Sequence, residues 1–246
     1  MELRTSYIEL QNVLTRIATS CGGADRPILS GVFAQRYKDD SNVFVATDGF
    51  TLAIQGDYKT SSELVGSAVV TVPNIKAVAD SMKKDAKEAL GAYNKGRWEH
   101  IEAEYDFEEI GGTFPYYVQL IPKNESVVDF DVEKLTMAVA ILEKAAGFSS
   151  GVVRLEQVQS KNVTYLKASV HTEVVLGDLQ VYVPAKIISE KTVRIAILYR
   201  YLKRLCKALD GNDKGVSLYW HSESSPICVT APNFTYVFMP QYVQWD

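Results

Sequence analysis

The feature that most constrains this chain is that its order of elements is written twice. Residues 6–21 (SYIELQNVLTRIATSC) place Ile8, Val13, Leu14, Ile17 and Ala18 at helical spacing, and Gly22-Gly23 ends the run. Strand-like stretches follow at 29–35, 42–47, 51–55 and 67–72, separated by polar and Gly-containing turns. Pro73 then opens a helix over roughly 73–90, a position where its missing N–H costs nothing. Strands resume near 97–105 and 117–121. The second half repeats this order. A helix over 131–146 (DVEKLTMAVAILEKAA) ends at Gly147, and strands follow near 151–157, 162–170 and 178–183. A helix at about 195–210 (IAILYRYLKRLCKALD) ends at Gly211, and strands close the pattern at 215–220, 226–230 and 234–239. The first helices start about 125 residues apart and the second helices about 122 apart.

A chain of 246 residues is long enough for two such units, each burying its own core. The expected fold class is therefore α+β: two tandem similar domains, 1–123 and 124–246, each with two helices packed on antiparallel sheets. The polar, proline-containing stretch Ile121–Ser126 is the expected junction. A composition of 47% hydrophobic and 23% charged residues excludes disorder, and no apolar run is long enough to span a bilayer. The N-terminus lacks the basic-then-apolar pattern of a signal peptide. Cys21, Cys206 and Cys228 have no CxxC spacing, which suggests reduced thiols and a cytoplasmic protein.

A net charge of −4 has the wrong sign for gripping nucleic acid over the whole surface, so any DNA contact must concentrate positive charge on one face. The last helix supplies such a face. Leu198, Tyr201, Leu202, Leu205 and Leu209 form an apolar stripe, while Arg200, Lys203, Arg204 and Lys207 fall at i, i+3, i+4 and i+7. Its counterpart carries Lys76, Lys83, Lys84 and Lys87, diluted by Asp80 and Asp85. A positive lining that meets phosphates loosely binds duplex DNA without sequence preference and with strong salt dependence.

Catalytic signatures are missing: the sequence has no GxxxxGK[ST], GxGxxG, HExxH or GxSxG. His100, His171 and His221 are isolated, and Glu102, Glu104, Asp106, Glu108 and Glu109 read as the exposed face of an acidic strand. No enzyme activity, cofactor or metal is expected.

Three segments resemble the bacterial DNA polymerase III beta subunit, the sliding clamp family. These are RPILSGV (26–32) with VATDGFTLA (45–53), TFPYYVQLIPK (113–123), and Tyr236-Val-Phe-Met-Pro240. They occur in the family's order and fall on the repeat. The resemblance implies a DNA-clamp fold matching the family's middle and last domains, where its members carry three. If six domains still make a ring, three copies of this chain close it. It also implies a pocket for short peptides of a DNA polymerase and a clamp loader. By position, that pocket would use Leu29, Thr47, Gly49, Phe50, Leu52, Pro115, Leu120, Tyr201, Val237, Met239 and Pro240. Phe50 and Gln119 stand where the family has polar or basic residues, and the chain continues past Met-Pro as Gln-Tyr-Val-Gln-Trp-Asp. A clamp-like peptide-binding adaptor, or one subunit of a mixed ring, is the other reading of the same residues.

Overall fold

The computed structural model describes all residues except 91–97, 101, 123–126, 148–149, 162, 172–177, 188–191, 211–215 and 246, and it divides into two compact units, Met1–Tyr116 and Tyr117–Asp246. The first unit begins with a strand absent from the expected pattern, β1 (Glu2–Ser6). Ser6 ends it and caps α1 (Tyr7–Asn12) by accepting a bond from the Glu9 N–H. The helix expected over 6–21 changes character after Asn12. It becomes a π turn over Val13–Ile17 and then a 3-10 turn over Ala18–Ser20. Thr15 Oγ1 bonds back to the Gln11 carbonyl at 2.8 Å, a competing partner of the kind that bends helices.

Four strands follow: β2 (Val32–Tyr37), β3 (Asn42–Thr47), β4 (Thr51–Gln55) and β5 (Leu64–Val70). They pair antiparallel in the order β4-β3-β2-β5, and every residue of β3 is buried. Thr71 Oγ1 accepts from the Asn74 N–H and starts α2 (Val72–Leu90), which buries Ile75, Ala79 and Met82. After it come β6 (Glu102–Asp106), paired with β1, and the two-residue β7 (Glu109–Ile110), paired with β5. The acidic stretch is a strand face only in part: Glu102 and Glu104 of β6 point outward and pair with Arg4 and Arg36, whereas Glu108 lies between strands and Glu109 belongs to β7. Within the stretch expected as a strand near 97–105, Trp98–His100 instead form one 3-10 turn.

The second unit opens with another unexpected strand, β8 (Val127–Phe130). Asp131 then caps α3 (Val132–Ala146) by accepting from the Lys134 N–H, and Gly147 ends it. Next come β9 (Val152–Ser160), β10 (Val163–Val170), β11 (Leu179–Ile187) and β12 (Arg194–Leu198). α4 (Tyr199–Leu209) leads to β13 (Ser217–Tyr219), β14 (Ile227–Ala231) and β15 (Phe234–Phe238). These strands run antiparallel in the order β12-β9-β10-β11-β8-β13-β14-β15. Two sequence expectations fail here for clear reasons. Ile195, Ala196 and Ile197 form a buried strand rather than the first turn of a helix, because a short run with no polar residue fits either period. Residues 118–120 form a 3-10 turn instead of a strand, flanked by Pro115 and Pro122, which cannot donate to a ladder.

Each unit therefore has two helices on antiparallel strands, the architecture expected. Cys21 is half-buried, Cys206 and Cys228 are buried, and none of the three is in a disulfide.

Candidate functional site

The amphipathic character of α4 divides its side chains sharply. Tyr201, Leu202, Leu205, Cys206, Ala208 and Leu209 are buried, whereas Arg200, Lys203 and Lys207 are exposed and Arg204 is half-exposed. No acidic residue occupies its first turn, and its N-cap, Leu198, offers no side-chain acceptor. Arg200 thus sits at the positive end of the helix dipole, where a cation disfavours the helix. α3 shows the opposite arrangement, with Glu133 in its first turn and Lys144 in its last. Lys207, in the last turn, suits the dipole, but Arg200 in the first turn does not serve helix stability.

The four cations are not equivalent. Lys203 Nζ pairs with Glu143 of α3, and the ammonium holds that carboxyl below its usual range. The Arg200 guanidinium lies over the Tyr201 ring at 4.9 Å and donates to its hydroxyl at 3.0 Å, and Arg204 lies 5.8 Å from the same ring. Both arginines are thereby steadied on the surface by an aromatic ring. On α2, Lys76, Lys83 and Lys84 are exposed beside exposed Asp80 and Asp85; the side chain of Lys87 lies outside the described residues.

A cleft of about 470 Å³ opens on the second unit. It is lined by Ser222, Glu223 and Ser224 and by the tail after β15, namely Pro240, Gln241, Tyr242, Val243 and Trp245. Among the described residues, no group of three or more His, Cys, Asp or Glu side chains is placed to hold a metal.

No family model matches the sequence, and no curated protein matches it. Solved structures do match over nearly the whole chain. The Pseudomonas aeruginosa DNA polymerase III subunit beta aligns with 99% of this chain and 67% of its own, at TM-score 0.75 and 18% identity. The beta chain from Streptococcus pneumoniae TIGR4 gives 99%, 65%, 0.76 and 19%, and the beta subunit from Thermotoga maritima 99%, 66%, 0.73 and 16%. The fold is that of the sliding clamps. This chain spans about two thirds of the length of the clamp chains it matches.

Within the clamp fold, the residues expected to form a peptide pocket fall into distinct environments. In the first unit, Thr47 and Leu52 are cross-strand partners flanking the β3–β4 turn. Asp48 Oδ1 accepts from the Phe50 N–H, the Thr51 N–H and the Thr51 hydroxyl at 2.8–3.0 Å. Thr47 Oγ1 accepts from the Gly49 N–H and donates to the Thr51 carbonyl at 2.6 Å. Gly49 has φ +91°, which explains glycine there. The Thr-Asp-Gly motif is thus first a turn-building device, and it leaves the Phe50 ring 55% exposed. Leu29 joins this group, since Leu29 Cβ and the Thr47 carbonyl both lie within 4 Å of where a Gly22 Cβ would stand. Phe114 of the Phe-Pro pair stacks on Phe33 of β2 at 4.7 Å, leaving Pro115 exposed.

In the second unit, Tyr201 and Val237 are buried, Leu120 and Met239 are about half exposed, and Pro240 lines the cleft. Of the expected pocket residues, Pro240 alone does so. Sequence reasoning missed Ser222–Ser224 and the tail beyond Pro240. The available signal was the pair of aromatic residues, Tyr242 and Trp245, following the Met-Pro motif.

Proposed function

We propose that this chain is a DNA sliding clamp, a processivity factor built from two clamp domains, residues 1–123 and 124–246. Three copies would supply six domains and close head to tail into a homotrimeric ring. The ring would enclose double-stranded DNA without reading its sequence and tether a DNA polymerase and a clamp loader through short peptide motifs. The observation that carries this reading is the cationic surface of α4 on a clamp fold in an otherwise acidic protein. Phosphates held by Arg200, Lys203, Arg204 and Lys207, with Lys76, Lys83, Lys84 and Lys87 contributing from α2, would give affinity with no base contacts.

The partner peptide would engage Met239, Pro240 and the cleft beside them. Leu120, Tyr201 and Val237 would shape or support that surface, with the buried members acting through packing, while Leu29, Thr47, Gly49, Phe50, Leu52 and Pro115 would offer partner contacts on the first unit. A cleft with apolar walls and a few polar groups suits a short peptide anchored by aliphatic or aromatic side chains.

The test joins light scattering with DNA retention. A particle of three chains of 27.4 kDa each, held on closed circular DNA and released when that DNA is linearised, is the expected result. A stable monomer or dimer at micromolar concentration would refute the ring.

A further inference from the structure

Resting on the reading of the cleft as a peptide site, we infer that Trp245 is the residue that positions its outer wall. We further infer that the cleft takes a peptide segment joining an apolar side chain to a cationic one. The wall is Pro240–Trp245, a stretch with no helix or strand of its own. Two hydrogen bonds attach it. The Gln241 N–H donates to the Ala196 carbonyl of β12 at 2.7 Å, and Arg154 Nη2 of β9 donates to the Gln244 carbonyl at 3.1 Å. Two bonds do not offset the conformational entropy of ordering six residues. The tail is further held by the indole, which lies 4.6 Å from the Arg194 guanidinium and 5.5 Å from that of Arg154.

Those arginines stand on a prepared row. Ala196 is the cross-strand partner of Arg154 and Arg194 the partner of Glu156, so these side chains share one face of the β9–β12 pair. Arg194 Nε lies 3.7 Å from Glu156 Oε1, and Glu156 in turn pairs with Lys167 of β10. Of the two cations against the indole, Arg194 is therefore braced by the sheet independently of the tail. Trp245 touches both the braced row and the cleft.

The chemistry of the lining points to the occupant. Glu223 is the one charged side chain among the lining residues, and Ser222 and Ser224 flank it with hydroxyls. Tyr242, also in the lining, is 99% exposed and offers an open aromatic ring. A carboxylate and an open aromatic face both favour a cation, while Pro240 and Val243 offer apolar contact.

The test uses the full chain and two labelled nine-residue peptides with a central Leu-Phe pair, flanked by lysines in one and aspartates in the other. By fluorescence anisotropy, the lysine peptide is expected to bind about tenfold more tightly, and Glu223→Gln should shrink that ratio severalfold. Trp245→Ala should weaken the lysine peptide at least about fivefold with thermal midpoint and native mass unchanged, and Trp245→Phe should restore most of the loss. Equal affinity of wild type and Trp245→Ala would remove the tryptophan from the site while leaving the cleft reading intact. A preference for the aspartate peptide would overturn the proposed ligand chemistry. Failure of wild type to bind either peptide would overturn the cleft reading itself.

Discussion

Neutralising α4 separates its electrostatic role from its structural one. The informative variant is Arg200→Gln/Arg204→Gln/Lys207→Gln, with Lys203 left in place because Glu143 already holds its charge. Each phosphate contact contributes about 0.9 to the slope of log affinity against log salt, so three cations account for at most about 2.7 per chain engaged. Over a fourfold rise in salt, that slope is worth about a 40-fold loss of affinity that the wild type suffers and the variant does not. Folding should hardly change. Removing Arg200 relieves a cation at a helix N-terminus, worth roughly 0.3–1 kcal/mol, and gives up a surface cation–aromatic contact worth about as much. The assay is binding to a labelled duplex at a series of salt concentrations, paired with thermal unfolding. A variant with the same salt slope as wild type and an unchanged thermal midpoint would show that α4 does not face DNA. A collapse of the midpoint would show that its basic residues hold the fold.

Other outcomes follow from single residues. Leu52→Ala should destabilise the protein by about 2–5 kcal/mol, read from denaturant unfolding, because Leu52 is buried at 3% exposure and acts as core. Met239→Ala, at an exposed site, should leave unfolding unchanged yet cost a bound partner peptide roughly 1–3 kcal/mol by anisotropy. Burial raises the Glu9 carboxyl above its ordinary value of 4.5, against bonds from Thr5 and Asn42 that lower it. The folded state therefore holds this proton to higher pH than the unfolded chain, and the stabilisation present in acid is lost as pH rises through the folded value. Glu9→Gln should gain stability relative to wild type as pH rises from 4.5 towards 7, measured by thermal midpoints; a relative loss over that interval would contradict the assignment.

The fold was legible because the same order of elements recurs and repeats its signals. The helices with Pro73 near the start of one and Gly147 at the end of the other appear where the residue pattern places them, while α1 and α4 are shorter than their patterns. What escaped were short strands whose pairing is distant. β1 pairs with β6 about a hundred residues away, and β8 pairs with β11 and β13, so neither carries a local turn that marks it. β12 was hidden for another reason: its apolar run leads straight into the stripe of α4, and one continuous pattern served two elements. The basic face of α4 was readable because cation spacing on a helix is a property of adjacent turns. The Lys203–Glu143 pair was not, since it joins α3 to α4. The cleft was least legible, because Ser222–Ser224 and Tyr242–Trp245 are short polar and aromatic stretches whose meaning depends on where β14 and β15 bring them.

The buried cysteines bear on how the protein responds to labelling reagents. A thiol reacts as its thiolate, and burial pushes Cys21 up to about 12 and Cys206 up to about 11. At neutral pH roughly one Cys21 side chain in 100,000 is ionised, and Cys228 is 1% exposed. Maleimides should therefore pass over the native thiols in the folded protein. A cysteine placed at a fully exposed position, as in Tyr242→Cys, would react first and alone. A dye there would sit at the rim of the cleft and report its occupancy on a protein whose own sulfur chemistry is silent until it unfolds.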